Sequence, residues 1–426
     1  MPQWNAPGAR PLLALCLAAA LLTSGCGAWF AAAPGGAPDG RTVPPATAGG
    51  GGAIAGGGAA PGGSTAAGGA ATGGGASSEA PGADAPGASG GGAEAEALRA
   101  LGLTPPPAHV PPGPLAPNEA GQIMVLMYHQ IRRDSRDWRW SRTPEGFRQD
   151  LEALYERGYR PVNMVDVVRG RIDVPRGYTP VVLTFDDSTE GQLRFLPAAG
   201  GSTAPPATLK EAVARLDPDC AVGILVAFHE EHLDWPLRAS FYVNAGTGPF
   251  GPRDEGEIKL RLLAALGFEI GNHTYTHENL NALSEEGTRR QLALDQAAVA
   301  KAVPGYELLT LALPFGGYPK RPDLLKSGEA DGTRYRNLAF LLVGANPAPS
   351  PFLSTFDPYR VPRVQVVDPA RKLSATFPYT WLAEFDKHPE RRFVSDGDPD
   401  TVTVPPEAAQ KVRPGAWRVV VAEGSR

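Results

Sequence analysis

The chemistry available to this chain concentrates in two short stretches. Residues 179–187 (TPVVLTFDD) form an apolar run that ends in two adjacent carboxylates. Residues 273–277 (HTYTH) place two imidazoles four positions apart, directly after the strand-like run GFEIGN. One carboxylate with two imidazoles is a common open site for a divalent cation, with positions left for water and substrate. The second carboxylate is then free to act as a base. Adjacent side chains of a regular strand point to opposite faces, so Asp186 and Asp187 serve one site only if the strand breaks there. The polar continuation Ser188-Thr189-Glu190 permits such a break. A helical turn over 273–277 would put both rings on one face. The plainer readings are an aspartate that caps the following turn and two histidines in a surface turn. Only seven histidines occur in the chain, which gives weight to two at ligand spacing beside a strand end.

The elements that must position these groups are legible as an alternation. Strands are expected at 123–128, 160–162, the run ending at Asp186, 239–244, 268–270, 309–313, 339–343 and 360–366. Between them, Thr143 then Pro144 marks a helix start. Phe147, Leu151 and Leu154 follow at helical spacing, and Gly158 marks the stop. A helical turn is expected at 165–169, and further helices from Asp217-Pro218 through Phe228, over 257–266, and from Ser284 to about 302. Strands alternating with helices and turn-rich joints predict a mainly parallel α/β fold. Catalytic groups of such barrels lie at the C-terminal ends of strands. His129, Asp186, Asp187, the 273–277 segment and Pro314-Phe315 all fall at those ends.

With both stretches in hand, TFDD followed by HTYTH resembles the polysaccharide deacetylase family, the carbohydrate esterases built on the NodB homology domain. ASFYV between them and LPFG after them occupy familiar places, and the resemblance covers residues 122–366. It implies a distorted (β/α) barrel that removes N- or O-acetyl groups from a glycan such as an N-acetylglucosamine polymer. The implied cofactor is a divalent metal: zinc, with cobalt or another divalent ion as alternatives. By position the resemblance implies Asp186 as catalytic base and Asp187, His273 and His277 as metal ligands. Thr274 would orient the loop, and a backbone N–H near Phe315 would meet the oxyanion. Three departures stand out. Ser188 replaces a usual glycine. Ala312 stands where an arginine usually steadies the base; Arg363 is a candidate substitute, with a surface salt bridge as its plainer reading. No C-terminal Leu-x-His motif supplies an acid. VLMYHQI near the start resembles the surface poly-N-acetylglucosamine deacetylases, whose late motifs stand at the front of the domain, and this implies His129 as the acid. Its plainer reading is a buried, hydrogen-bonded histidine. The alternative for the whole chain is a catalytically decayed, glycan-binding surface lipoprotein.

Beyond this region the chain reads as accessory. Arg10 is the only charge before an apolar stretch at 12–22 that is too short to span a membrane. Thr23-Ser24-Gly25-Cys26 resembles a bacterial lipobox, so residues 1–26 read as a signal peptide with lipid attached at Cys26; an ordinary cleaved signal is the alternative. The expected location is extracytoplasmic, anchored at the membrane surface, or else secreted. Residues 27–118 are expected to be a disordered Gly/Ala/Pro-rich spacer with a brief helical turn at 94–101. Residues 119–426 are expected to be one catalytic domain with an insertion at 188–235. Cys16 leaves with the signal, so Cys220 remains as a lone, small buried residue. A net charge of −5 with both signs interspersed gives no reason to expect nucleic acid. A monomer is expected, with an acetylated polysaccharide and the membrane as partners. His229 and His232 read as a solvated face, and Trp138, Trp140 and Trp235 as core or rim packing residues, with stacking on sugar rings as the alternative. Residues 379–381 and 394–397 read as edge segments, and 417–421 as a closing strand.

Overall fold

The computed structural model describes residues 91–134, 139–367 and 378–422. The signal segment, Cys26, the spacer up to residue 90 and Trp138 lie outside the described residues. Eight strands build the central sheet: β1 (Met124–Tyr128), β2 (Tyr159–Pro161), β3 (Thr179–Phe185), β4 (Ser240–Val243), β5 (Glu269–Asn272), β6 (Thr310–Ala312), β7 (Ala339–Leu341) and β8 (Val364–Gln365). Their order is β7-β6-β5-β4-β3-β1-β8, with β2 paired to the start of β3. Every pairing is parallel. A parallel bridge from Leu341 to Val361 links the far strand toward β8. The result is the expected distorted, incomplete (β/α) barrel.

Strands of a parallel sheet are covered on both faces and therefore read as continuous apolar runs. All seven residues of β3 and all five of β1 are buried for this reason. Phe185 at the end of β3 stacks on Phe241 (centroids 4.7 Å apart) and on Tyr128 (5.3 Å), which joins three adjacent strands under the rim. The helices follow local signals. Thr143 caps Pro144–Glu156 by accepting from the Gly146 N–H at 3.0 Å. Ser284 caps Glu285–Ala302 in the same way through Gly287, with two glutamates in its first turn and Lys301 in its last.

Outside the two motif stretches and Arg363, the structure differs from the sequence reading in four places. Residues 188–235 are not an appended insertion. Their helix Ala221–Glu231 is the crossover that a parallel β3–β4 connection requires, and Val222, Ile224 and Leu225 lie in the main core. It begins after Cys220, which is fully buried and caps it, while Asp217 pairs with Arg194. Order also begins before residue 119. Gly91–Leu101 is a helix whose Leu98 and Leu101, with Leu103 beyond it, join the same core.

That N-terminal segment explains the third difference, at His229. The ring is fully buried rather than solvated, with its nitrogens 2.7 and 2.8 Å from the carbonyl oxygens of Trp235 and Thr104. Its partner Thr104 lies too far away in sequence for any local pattern to show it. His232, by contrast, is half-buried beside Glu152. Fourth, residues 379–381 belong to the helix Pro378–Lys387, and Arg418–Val421 pairs with Thr401–Val404 in a separate two-stranded sheet instead of closing the barrel.

Glu119 provides a test of how this outer layer is held. It is buried, accepts from the Thr403 N–H at 2.7 Å and sits beside Asp396. Burial, and then repulsion from Asp396, push its pKa up to about 8. A carboxyl raised in the folded state contributes stability that is lost as pH climbs from its unfolded value through about 8. Glu119→Gln should therefore flatten the decline in urea midpoint between pH 5 and pH 9. An equally steep decline in the variant would show that Glu119 does not carry this titration.

Candidate active site

The strand break needed for two adjacent aspartates to share a site is present. β3 ends at Phe185, and Asp187 (φ 73°) and Ser188 (φ 43°) both adopt left-handed backbone conformations. Thr274 (φ 64°), His277 (φ 57°) and Phe315 (φ 58°) do the same. Among the described residues these make up five of the seven non-glycine positions with positive φ. Each costs on the order of 1–3 kcal/mol and persists only where its surroundings over-determine it. The strain is thus concentrated at the rim where the chemistry lies.

Asp187 Oδ1 stands 3.2 Å from Nε2 of His273 and 3.2 Å from Nε2 of His277. The three ligand atoms lie within 4.8 Å of one another, and the two rings are 4.9 Å apart. A left-handed turn, not the helical turn expected from the spacing, brings the histidines together, because Thr274 and His277 reverse the chain. His273 Nδ1 is 2.8 Å from the Ala312 carbonyl, to which it donates, so its Nε2 lone pair is aimed at Asp187. A lone pair facing a carboxylate at that range is repulsive unless a proton or a cation stands between them. The donor set and its orientation fit a divalent cation. Burial alone would raise the Asp187 pKa, but the two imidazoles outweigh it and hold the carboxyl well below the usual range. Burial likewise works against the protonated His273 ring, and the two aspartates more than compensate and raise its pKa.

Asp186 is buried and receives a two-pronged contact from Arg363, Nη1 to Oδ1 at 2.8 Å and Nη2 to Oδ2 at 2.7 Å. Arg363 is itself fully buried and also donates to the Leu342 carbonyl and the Thr184 hydroxyl. The surface salt bridge expected as its plainer reading is therefore wrong. The guanidinium on Asp186 thus comes from Arg363, while Ala312 packs in the core and offers its carbonyl to His273. Burial pushes the Asp186 pKa up, but Arg363 and His273 more than reverse this, so it stays ionised.

His129 follows β1 and places Nε2 4.0 Å from Asp186 Oδ2. Burial lowers its pKa, and the two aspartates counter this in part. Its ring meets Trp140 edge-on at 4.6 Å, which places Trp140 at the rim beside the site. Trp235, in contrast, is fully buried, and His229 and His232 belong to the crossover helix and its cap. Phe315 is 67% exposed and its ring lies 4.8 Å from His277. Thr274 is fully buried, and its hydroxyl accepts from the Glu278 N–H, which ties the loop to itself.

Two residues with no motif signature complete the site. Gln192 Nε2 donates to the carbonyls of His129 (2.6 Å) and Asp186 (2.5 Å), tying together the segments that follow β1 and β3. Gly191 allows that approach, since a Cβ there would fall 1.9 Å from the Ile131 carbonyl oxygen. Asn244 bonds the histidine loop from the end of β4. Both are ordinary polar residues in the sequence, and only the partners brought close by folding mark them.

The family model for polysaccharide deacetylase matches residues 236–332, which include His273, Thr274, His277 and Phe315. The matched span contains HTYTH and LPFG, whereas TFDD, at 184–187, lies before it. No curated protein matches the chain. Among solved structures the chain is similar to the Streptococcus pyogenes deacetylase PplD in complex with acetate, at 17% identity, covering 60% of this chain and 99% of that one, with a TM-score of 0.41. It is also similar to IcaB from Ammonifex degensii, at 20% identity over 59% and 94% of the two chains, with a TM-score of 0.36. A de-N-acetylase from Aggregatibacter actinomycetemcomitans gives 14% identity over 59% and 97%, with a TM-score of 0.38.

Removing Arg363 should expose the cost of the buried pair. Arg363→Met leaves Asp186 buried and unpaired, and should lower folding stability by about 3–5 kcal/mol. The double variant Arg363→Met/Asp186→Asn should recover most of that loss in urea denaturation. Equal midpoints for the single and double variants would rule out the pair as the source.

Proposed function

We propose that this chain is a metal-dependent deacetylase that removes N-acetyl, or O-acetyl, groups from an extracellular or cell-wall polysaccharide, with an N-acetylglucosamine polymer as the favoured substrate class. The observation that carries the reading is the convergence of Asp187, His273 and His277 beside an arginine-held Asp186. Asp187, His273 and His277 would hold the ion, with zinc favoured and cobalt an alternative. Once bound, the ion supplies Lewis-acid polarisation of an acetyl carbonyl and a lowered pKa for water.

The chain's own groups divide the remaining work. Asp186 takes a proton from the attacking water, and Arg363 keeps the carboxylate aimed and charged. The Phe315 backbone N–H is the proposed donor to the developing oxyanion. His129, at the end of the neighbouring strand β1, delivers a proton to the leaving nitrogen. A non-catalytic glycan binder is the competing reading, favoured by the alanine at 312 and by the missing late motif. Arg363 on Asp186 weakens the first of those points.

Metal analysis together with acetate release from a chitooligosaccharide tests the proposal. Asp186→Asn should keep the metal and lose activity by roughly 10²–10⁴-fold, the usual contribution of a positioned base. His273→Ala should lose both metal and activity, and His129→Ala should keep the metal with severely impaired turnover. Wild-type protein that binds metal but releases no acetate from any acetylated glycan would favour the binder.

We further propose an extracytoplasmic location with lipid attachment at Cys26, supported by the short apolar segment and small residues before it. Cys26→Ser should move the protein from the membrane fraction to the soluble fraction. An unchanged distribution would overturn the anchor.

A further inference from the structure

We propose that Asn244 is a positioning residue that sets the spacing of the metal-ligand set, an inference that rests on the metal-binding reading above. In the sheet, β4 lies between β3, which leads to Asp187, and β5, which leads to the histidines. Asn244 follows directly on β4, so it stands between the two ligand-bearing loops, and it bonds to both. Its backbone N–H donates to Ser188 Oγ at 3.1 Å, next to Asp187. Its side-chain amide donates to the His273 carbonyl at 2.5 Å and the Thr274 carbonyl at 2.9 Å.

The chemistry of the asparagine suits this position closely. A primary amide carries two N–H donors on one nitrogen. The left-handed conformation of Thr274 leaves two successive carbonyls to be satisfied from one direction. Asn244 is buried, so no bulk water is at hand to replace those bonds. The residues after it extend the grip. Gly246 N–H donates to the Tyr275 carbonyl at 2.8 Å, and a Cβ at Gly246 would come within 2.6 Å of that oxygen. Ala245 N–H donates to Asp295 Oδ1 at 2.9 Å, which fastens the clip to the helix Glu285–Ala302 behind it.

Residues 244–246 therefore hold the carbonyls of 273, 274 and 275 in succession, while the same helix holds the amides of Tyr275 and Thr276 through Gln291. Between these two grips the loop can present His273 and His277 to Asp187 at 3.2 Å each. Ligand distances in a working metal site tolerate only about 0.2 Å. Residues that orient ligands from behind typically matter 10–100-fold in affinity.

Cobalt(II) titration of the metal-free protein, followed by visible absorbance, reads the ligand set without any turnover. Asn244→Ala should weaken cobalt affinity by 10–100-fold and change the visible spectrum, while the metal-free protein still unfolds cooperatively. If that variant does not fold, Ser188→Ala takes its place. It removes only the acceptor of the Asn244 N–H and should weaken cobalt binding by about 10-fold, the low end of such outer contacts. A folded Asn244→Ala, or Ser188→Ala in its stead, with wild-type affinity and spectrum overturns the positioning role while leaving the metal site intact. Wild-type protein that takes up no cobalt or zinc overturns the metal reading itself, and the positioning role with it.

Discussion

Asp186 and Asp187 are neighbours in the chain, and both carboxylates sit at the end of one barrel strand under a rim that excludes much of the water. Two negative charges so placed repel each other, and neither is stable there alone. Positive or proton-carrying partners arranged on different strands resolve the conflict. Arg363, entering β8, takes both oxygens of Asp186. His273 and His277, beyond β5, converge on Asp187. The two aspartates thereby acquire different surroundings, one clamped by a guanidinium and the other faced by two imidazoles. That difference follows from partner placement and from burial, since Asp186 is buried while Asp187 remains partly exposed.

Keeping those partners apart yet close requires an unusual backbone. Left-handed residues cluster at Asp187, Ser188, Thr274, His277 and Phe315, none of them glycine. The strain is balanced by polar clips that are themselves buried: Gln192 across the His129 and Asp186 carbonyls, Asn244 across the His273 and Thr274 carbonyls. Each clip is one side-chain amide whose two N–H groups meet two backbone oxygens, which is cheap in atoms and demanding in geometry. The parallel sheet supplies the frame. Its strands all end on one side, so groups distant in sequence meet at one rim without long excursions of chain.

The N-terminal segment shows how far local patterns can mislead. A stretch dominated by Gly, Ala and Pro reads as spacer, yet Leu98, Leu101 and Leu103 within it find apolar surface on the barrel, and Thr104 is held by His229 and Glu230. The crossover helix Ala221–Glu231 reads as part of an insertion for the converse reason. The loop before it is so polar and glycine-rich that the helix looks detached, although its residues face the main core.

The order of strands and helices, the caps at Thr143 and Ser284, and the paired motifs were all legible in the chain itself. They depend on short-range chemistry: apolar runs for strands buried on both faces, hydroxyls before first turns, and residue types suited to one kind of reaction. The identity of the group steadying Asp186, the tautomer of His273 set by Ala312, the turn that aligns the two rings, and the work of Gln192 and Asn244 were decided by tertiary structure alone. Each rests on a partner more than about four residues away, and residues that far apart come within hydrogen-bonding distance only once the barrel has brought its strand ends together.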